Sequence, residues 1–315
     1  MLTQIFEGID ASVQAILTLV LSLLVFFTIL FHIWKLFKDS SFVRLMLTRT
    51  YSWWAIYIVY ILFFCIYPPI GHAGLCLLSI FGFREIIKNS SFLETPPKLL
   101  WACYAVIVAQ FIATAFLNDI ASLVIIPFFG LILITVFCIL FEDTETAIKS
   151  PPFLLWTMIL TSSGFSHLSY LYSMGSFVNG IGAQGLLVYF LFLVQFNDVL
   201  QFIWGTMFGK RLISPVISPK KTWEGLIGAI LTMIILANAL RYLTPFTIWQ
   251  SSVIGFLMPI FGFWGDLTIS TLKRNLKVKD MGTVIPGHGG ILDRVDSILI
   301  SSLVYFYLVY FWLVK

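Results

Sequence analysis

The stretch WGDLTISTLKRNLKVKDMGTVIPGHGGILDRVDS, from Trp264 to Ser297, leaves one apolar run and is followed by another. A basic loop between two membrane helices would explain its lysines, but it does not explain Asp266, which lies inside the apolar run. An ionised group in a membrane-spanning segment is energetically expensive, so it is a functional candidate by default. In a chain that is only 11% charged, this one stretch holds ten titratable groups: Asp266, Lys273, Arg274, Lys277, Lys279, Asp280, His288, Asp293, Arg294 and Asp296.

The residue types in this stretch suit a phosphorylated ligand. Gly287, Gly289 and Gly290 flank His288, and glycines let a backbone come close to a ligand. Carboxylate oxygens bind Mg²⁺, whereas Lys and Arg bind phosphate oxygens. The combination indicates a site for a polyphosphate that carries Mg²⁺.

Helical spacing would bring several of these side chains together. Asp266, Ser270 and Lys273 are spaced i, i+4 and i+7, so they share one helix face. If a second helix begins at Asp293, then Asp293 and Asp296 share its face. Asp266 and Asp293 flank the same loop, and we expect them to meet at the membrane surface. The alternative is that Asp266 pairs with a basic residue such as Lys273 and only holds the bundle together.

The composition excludes a soluble globular domain. Of the 315 residues, 59% are hydrophobic, and the mean hydropathy is +0.97. Both values are typical of integral membrane proteins, and we predict an all-α, polytopic protein with one membrane domain over residues 1–315. The net charge of +4 is small and the basic residues form no arm, so no nucleic-acid partner is expected. The four cysteines form no CxxC pair, which argues against a zinc site and a disulfide framework.

Apolar runs of about 20 residues predict the membrane spans. Pro68 and Pro69 separate two short runs, so one re-entrant pair, and nine spans in total, is the alternative to ten. The ten runs are 12–34, 51–68, 70–84, 99–117, 120–141, 153–172, 184–207, 225–243, 250–271 and 297–314.

The distribution of Lys and Arg predicts the orientation. With ten spans, all but two of the 19 basic residues fall on one side, and the exceptions are Arg241 and Lys315. Loops rich in Lys and Arg stay in the cytoplasm. We therefore predict a multi-pass protein of the cell membrane, with both termini outside and the active site facing the cytoplasm.

The two halves of the chain differ in character. Residues 1–183 read as a helical scaffold, whereas residues 184–315 carry the polar motifs. In the seventh span Asp198, Gln201 and Gly205 lie on one helix face, which we expect to look into the bundle. Hydrogen bonds between helices would explain the amide but not the carboxylate.

The segment ISPVISPKKTWEG, residues 213–225, precedes the eighth span. Its two prolines exclude a helix, so we predict a loop. Lys220, Lys221, Thr222 and Glu224 then lie at the mouth of the next helix, and helix N-termini bind anions. An ordinary capped helix with lysines at the membrane surface is the alternative.

These motifs resemble the signature of the CDP-diacylglycerol synthases, or phosphatidate cytidylyltransferases. A weaker element departs from the family, because Gln201 and Phe202 stand where Ala and Tyr are typical after Asp198. A second element is met by Ser218, Pro219, Lys221, Thr222, Glu224 and Gly225. The main signature is met by Ser270, Leu272, Lys273, Arg274, Lys279, Asp280, Gly282, Pro286, His288, Gly289, Gly290, Asp293, Arg294 and Asp296.

The resemblance implies transfer of a cytidylyl group from CTP to phosphatidic acid, with Mg²⁺ as cofactor and pyrophosphate as the other product. It implies Asp266 and Asp293 as metal ligands, with Asp198 and Asp296 as weaker candidates. It implies catalytic roles for Asp266, Lys273, Arg274, Asp293 and Arg294. It implies substrate binding by Asp198, Lys220, Lys221, Thr222, Glu224, Ser270, Lys279, Asp280, His288, Gly289 and Gly290. A second, monovalent cation and a homodimer are further alternatives that the sequence leaves open.

Two other functions remain open at this point. Gln201 and Phe202 favour a different lipid phosphate, such as an isoprenoid or a modified glycerolipid phosphate, as acceptor. Alternatively, Asp198 and Asp266 could serve an ion-coupled transporter. The basic residues and glycines on one face argue against the transporter.

Overall fold

A computed structural model describes residues 11–61, 68–90, 96–117, 120–140, 150–174, 182–283 and 289–314. Within these ranges the chain is almost entirely helical, as the hydropathy predicted. Its α-helices are α1 (Ala11–Phe37), α2 (Ser41–Ile61), α3 (Pro68–Asn89), α4 (Pro97–Phe116), α5 (Leu131–Leu140), α6 (Ser150–Ser173), α7 (Ala183–Phe208), α8 (Trp223–Ala239), α9 (Ile248–Asn275) and α10 (Leu292–Leu313).

Several of these helices are long and apolar enough to cross a membrane, as expected of a multi-pass membrane protein. The described residues contain six such segments: Ala11–Phe37, Ile70–Asn89, Pro97–Phe116, Ala183–Phe208, Ile248–Asn275 and Leu292–Leu313. Helix α8 is apolar but shorter. Helix α6 is long enough, but it carries buried polar residues such as Ser162, Ser166 and His167. The number of spans therefore stays a prediction.

Two predicted spans differ in detail from the structure. Helix α2 begins at Ser41, well before the predicted start at residue 51. The predicted span 120–141 is not one helix: a 3₁₀ turn (Ile120–Val124) and a π-helical turn (Ile125–Gly130) precede α5. Pro127 lies in the π-helical turn, and a proline interrupts the regular helical hydrogen bonds. Gln110 of α4 accepts a hydrogen bond from the Ile126 N–H at 3.0 Å, which gives this backbone donor a partner in the irregular turn.

The segment before α8 is a β-hairpin, which the all-α prediction did not include. Strand β1 (Leu212–Ser214) pairs antiparallel with β2 (Ser218–Thr222), with Leu212 opposite Thr222 and Ser214 opposite Ser218. The prolines do exclude a helix here, as predicted. The hairpin gives the backbone an alternative set of hydrogen bonds, so the segment is ordered rather than irregular.

Helix α6 packs at the centre of the bundle, against α3, α4 and α10. Gly164 lets α6 approach α10 closely, because a Cβ at this position would collide with the Leu299 carbonyl and the Ser302 side chain. Helices α7, α8, α9 and α10 form the second group, in which α8 and α10 both pack on α9. The C-terminal ends of α3, α7 and α9 and the N-terminal ends of α8 and α10 meet at one end of the bundle.

Candidate active site

The first ion pair at this end joins the hairpin to α9. Strand β2 places the ammonium of Lys221 2.8 Å from the Oδ2 of Asp266, and the two side chains are 19% and 21% exposed. The same ammonium donates to the Oε1 of Gln201 on α7 at 3.1 Å and lies 5.7 Å from the centre of the Phe263 ring. Gln201 in turn donates to the Oδ1 of Asn197 at 2.9 Å. Lys221 is therefore held by α7 and α9 together.

Two further carboxylates lie near this ion pair. Asp198 of α7, Asp266 of α9 and Asp296 of α10 are close enough to interact electrostatically. The hydroxyl of Ser297 lies 3.1 Å from Asp198 and 3.4 Å from Asp296, so it bridges two of them. Burial works to lower the pKa of Lys221, but the neighbouring carboxylates outweigh it and raise that pKa above its usual value. The lysine is thus charged at neutral pH.

The second ion pair joins α9 to α10. The ammonium of Lys273 donates to the Oδ1 of Asp293 at 2.9 Å, and the Asp293 side chain is only 3% exposed. Its other oxygen, Oδ2, accepts the backbone N–H groups of Met281 at 2.8 Å and Gly290 at 2.9 Å. Gly289 has a φ of +86°, a left-handed conformation that favours glycine. Met281 and Gly290, the two ends of the glycine-containing loop (residues 281–290), are thus tied to one carboxylate.

Two residues of the N-terminal half also contact this loop. The carboxylate of Glu85 on α3 accepts the N–H groups of Ile291 and Leu292, and the side-chain amide of Asn89 donates to the carbonyl of Met281. Neither residue belongs to the predicted site. Glu85 lies one residue beyond the predicted span 70–84, so the rule that singles out charged residues inside a span does not select it.

The hairpin is fastened by residues that the sequence predicted for substrate binding. Thr222 is the N-cap of α8 and accepts the Gly225 N–H at 3.1 Å. Glu224 accepts the N–H groups of Lys210 at 3.0 Å and Arg211 at 3.1 Å. These contacts hold β1 and β2 at the mouth of α8, which places Lys221 over α9.

The remaining predicted residues lie around these two pairs. Ser270 donates to the Oδ1 of Asp266 at 3.1 Å. The side chain of Arg274 donates through Nε to the carbonyl of Ile217 in the hairpin at 3.2 Å. His288 lies outside the described residues. The exposed members of the predicted set are Lys220, Arg274, Lys279, Asp280 and Arg294.

The predicted metal ligands Asp266 and Asp293 belong to different ion pairs, and Asp266 is paired with Lys221 rather than with Lys273. Within the described ranges, no group of three or more His, Cys, Asp and Glu side chains is arranged to hold a metal ion. The donor chemistry nevertheless suits Mg²⁺, which is usually bound by one or two carboxylates together with water and substrate phosphates. Asp198, Asp266 and Asp296 supply such oxygens beside the basic residues. Their role as ligands, like that of Asp293, stays a prediction.

Comparison with known proteins identifies relatives of this chain. A model of the cytidylyltransferase family matches residues 47–312. An uncharacterized protein of Escherichia coli K12, YnbB, is 35% identical over 188 residues, which cover 59% of this chain and 63% of YnbB. A phosphatidate cytidylyltransferase of Staphylococcus aureus strain COL is 40% identical over 121 residues, 37% of this chain and 46% of that enzyme. A phosphatidate cytidylyltransferase of Staphylococcus haemolyticus is 40% identical over 115 residues, covering 36% of this chain and 44% of that enzyme.

These pairwise matches span less than two thirds of each relative's length. The family model, in contrast, reaches from within α2 to the last turn of α10 and includes both ion pairs.

Proposed function

The chain belongs to the cytidylyltransferase family, and we propose that it transfers the cytidylyl group of CTP to phosphatidic acid. The products are CDP-diacylglycerol and pyrophosphate, and the reaction supplies an activated lipid for phospholipid synthesis. The proposed reaction uses Mg²⁺ as its cofactor. A transporter that uses Asp198 and Asp266 is disfavoured, because the family is one of nucleotidyltransferases.

The observation that carries the proposal is the cluster of acidic and basic side chains at one end of α7, α9 and α10. Lys221 and Lys273 each lie within 3 Å of a carboxylate there, and Arg294 and Lys220 are exposed at the same end. A nucleoside triphosphate and a lipid phosphate both bring negative charge. Fixed cations beside carboxylates suit the binding of these anions with a divalent metal.

The proposed reaction needs no nucleophile from the protein. An oxygen of the lipid phosphate attacks the α-phosphorus of CTP, a new phosphoanhydride bond forms, and the bond to the β-phosphate breaks. Pyrophosphate leaves with the electron pair of the broken bond. Mg²⁺, when bound, would neutralise charge on the phosphate oxygens.

The side chains of this chain would position the two phosphates and balance their charge. We assign Lys221, Lys273 and Arg274 to the phosphates of CTP, because the two lysines pair with carboxylates of the site and Arg274 lies beside the hairpin that carries Lys221. Arg294, at the start of α10, and Lys220 are exposed, so they are free to reach the phosphate of the lipid. Bringing two anions into line between fixed cations is how such a site accelerates phosphoryl transfer.

The proposed location is the cell membrane, with this end of the bundle in the cytoplasm, where CTP is found. A cysteine introduced at Lys277 should react with a membrane-impermeant thiol reagent only after the cells are opened. Labelling in intact cells would show that the orientation is opposite to the proposed one.

CTP and a lipid phosphate are the proposed partners, and a homodimer is the assembly to test by crosslinking in the membrane.

One assay tests the function directly. The purified protein in detergent is mixed with CTP, Mg²⁺ and a panel of lipid phosphates, and pyrophosphate release is measured together with the lipid product. Release that requires phosphatidic acid and CTP supports the proposal. Absence of release with every lipid phosphate, from protein that unfolds cooperatively on heating, would contradict it.

A different lipid phosphate as acceptor is the second candidate. It is favoured by Gln201, which is 6% exposed and contacts Lys221 directly, and by Phe202, which is 70% exposed on the outer face of α7. Both residues depart from the motif that the chain otherwise resembles. An isoprenoid phosphate in the panel that outperforms phosphatidic acid would establish this candidate.

A further inference from the structure

Helix α10 begins without a capping residue of its own. Its N-cap is Ile291, whose side chain has no group that accepts a hydrogen bond. The first N–H groups of a helix have no partner within the helix, and Ser, Thr, Asp or Asn at the N-cap usually provides one. Here the partner is Glu85 of α3. Its two oxygens accept the N–H groups of Ile291 and Leu292, each at 2.9 Å, from more than 200 residues away in the sequence.

Asn89, one helical turn after Glu85, holds the start of the glycine-containing loop that leads into α10. Its side-chain amide donates to the Met281 carbonyl at 2.7 Å and to the Glu85 carbonyl of its own helix at 2.7 Å. Met281, at the start of the glycine-containing loop, and the first residues of α10 are thus both attached to the last turn of α3.

The carboxylate of Glu85 is buried and packs tightly against the loop backbone. Glu85 is 8% exposed, so water competes little for its oxygens. A Cβ on Gly282 would lie 2.5 Å from its Oε1, and one on Gly290 would lie 2.6 Å from its Oε2. Glycines at these two positions let the loop backbone lie directly against the carboxylate.

We propose that Glu85 and Asn89 are positioning residues, which fix the first turn of α10 and the glycine-containing loop relative to α9. The inference rests on the proposed function, because that turn carries Asp293 and Arg294. Glu85 acts through the backbone: it holds Ile291 and Leu292, the two residues before Asp293. Asp293 then meets Lys273 at 2.9 Å and closes the loop through Met281 and Gly290. The N-terminal half therefore takes part in shaping the site.

The variant Glu85→Gln tests the proposal with little change in volume. The remaining oxygen of Gln can accept one of the two N–H groups, but its NH₂ group then faces the other N–H as a second donor. Loss of one hydrogen bond to a charged group predicts that kcat falls by about tenfold or more, with a smaller change in KM for CTP. The control is Ser79→Ala on the same helix, because in the described part of the chain the Ser79 hydroxyl bonds to the Leu75 carbonyl within α3 and to no other group. This variant should keep its kcat.

Hydrogen exchange provides a readout that does not depend on turnover. In the purified protein without nucleotide, the amides of residues 289–294 should exchange faster in Glu85→Gln than in wild type. The amides of α3 and α6 should be unchanged. If the wild type does not turn over CTP, the proposed function fails, but the exchange experiment still decides whether Glu85 caps α10.

Unchanged exchange at Ile291 and Leu292, or an unchanged kcat in an active enzyme, would overturn the proposal. If Glu85→Gln does not purify as folded protein, Asn89→Ala takes its place, because Asn89 lies at a partly exposed helix end. In that variant the amides of residues 281–283 should exchange faster and kcat should fall. A wild-type rate of exchange at these amides would count against the proposal.

Discussion

Two lysine–aspartate ion pairs lie at the same end of the bundle. They differ in the exposure of the carboxylate and in the number of hydrogen bonds that it accepts from the protein. Asp293 is 3% exposed, and its two oxygens accept from Lys273 and from two backbone N–H groups. Asp266 is 21% exposed, and among the residues that the structure describes it accepts from the ammonium of Lys221 and the hydroxyl of Ser270.

The difference separates two kinds of contribution. A carboxylate offers about four acceptor positions in all. Asp293 accepts three hydrogen bonds from other parts of the protein, so holding the loop is a large part of its role. Asp266 keeps accessible oxygen beside Asp198 and Asp296, which makes it the better placed of the two for a metal ion or a Mg²⁺-bound phosphate. Loss of Asp293 should therefore damage the fold, whereas loss of Asp266 should damage the chemistry.

The largest effect is expected for Asp293→Asn. Removing one partner of a buried ion pair typically costs about 3–5 kcal/mol, because the other charge stays buried without compensation. The unfolding temperature in detergent should drop markedly, and activity should be lost with it. The control is Asp39→Asn, which breaks the exposed pair between Asp39 and Arg44 and should cost less than about 1 kcal/mol. An Asp293→Asn protein as stable as wild type would remove the distinction between the two pairs.

Asp266→Asn should give the opposite pattern. We expect CTP-dependent product formation to fall by about a hundredfold or more, equivalent to roughly 2.7 kcal/mol in the barrier. The unfolding temperature should stay closer to wild type than that of Asp293→Asn, because the side chain is partly exposed. Turnover and thermal unfolding are measured on the same preparation, together with a Mg²⁺ titration. Near-normal turnover with an unchanged titration would show that Asp266 only holds the bundle.

Lys221→Ala removes the basic partner of Asp266 and tests whether this lysine binds a phosphate of CTP. Loss of one charged hydrogen bond to a phosphate should cost roughly 1.5–3 kcal/mol, seen as a higher apparent KM for CTP or as lost turnover. The neighbouring Lys220 is exposed and is assigned to the lipid phosphate, so the matched variant Lys220→Ala should leave the apparent KM for CTP close to wild type and raise that for the lipid instead. Activity within about twofold of wild type, or less than half a kcal/mol, would make Lys221 an ordinary lysine at the membrane surface.

The smallest effect is expected for Gln201→Ala. This change removes the acceptor that holds the Lys221 ammonium and the donor to Asn197. Loss of one hydrogen bond is worth about 1 kcal/mol, so the apparent KM should rise about fivefold while kcat stays close to wild type. The measurement is a CTP titration with saturating lipid. A larger change with one lipid phosphate than with another would instead assign Gln201 to the lipid.

Much of the helical architecture followed from hydropathy, and the exceptions have local causes. Pro127 turned one predicted span into a 3₁₀ turn, a π-helical turn and a short helix. The prolines of the segment 213–225 correctly excluded a helix, but they did not reveal that β1 and β2 would pair. A hairpin this short depends on neighbours, here Glu224 and the Arg274 contact with Ile217.

The partners in the site were harder to predict than its location. Asp266 and Lys273 share a helix face, which suggested that they could pair. Seven residues along a helix, however, amount to about 10 Å, which is far for a direct contact. In the structure each residue finds a partner on another element: Lys221 for Asp266, and Asp293 for Lys273.

By itself, the sequence determined that this is a helical membrane protein of the cytidylyltransferase family, and it marked the segments that carry the polar motifs. Hydrophobicity and motif spacing are properties of neighbouring residues, so they can be read along the chain. Only the tertiary structure decided which carboxylate is committed to the fold and which stays accessible. It also decided that Glu85, 206 residues before Ile291, caps α10. Such contacts depend on distances between helices, and no local pattern in the sequence records them.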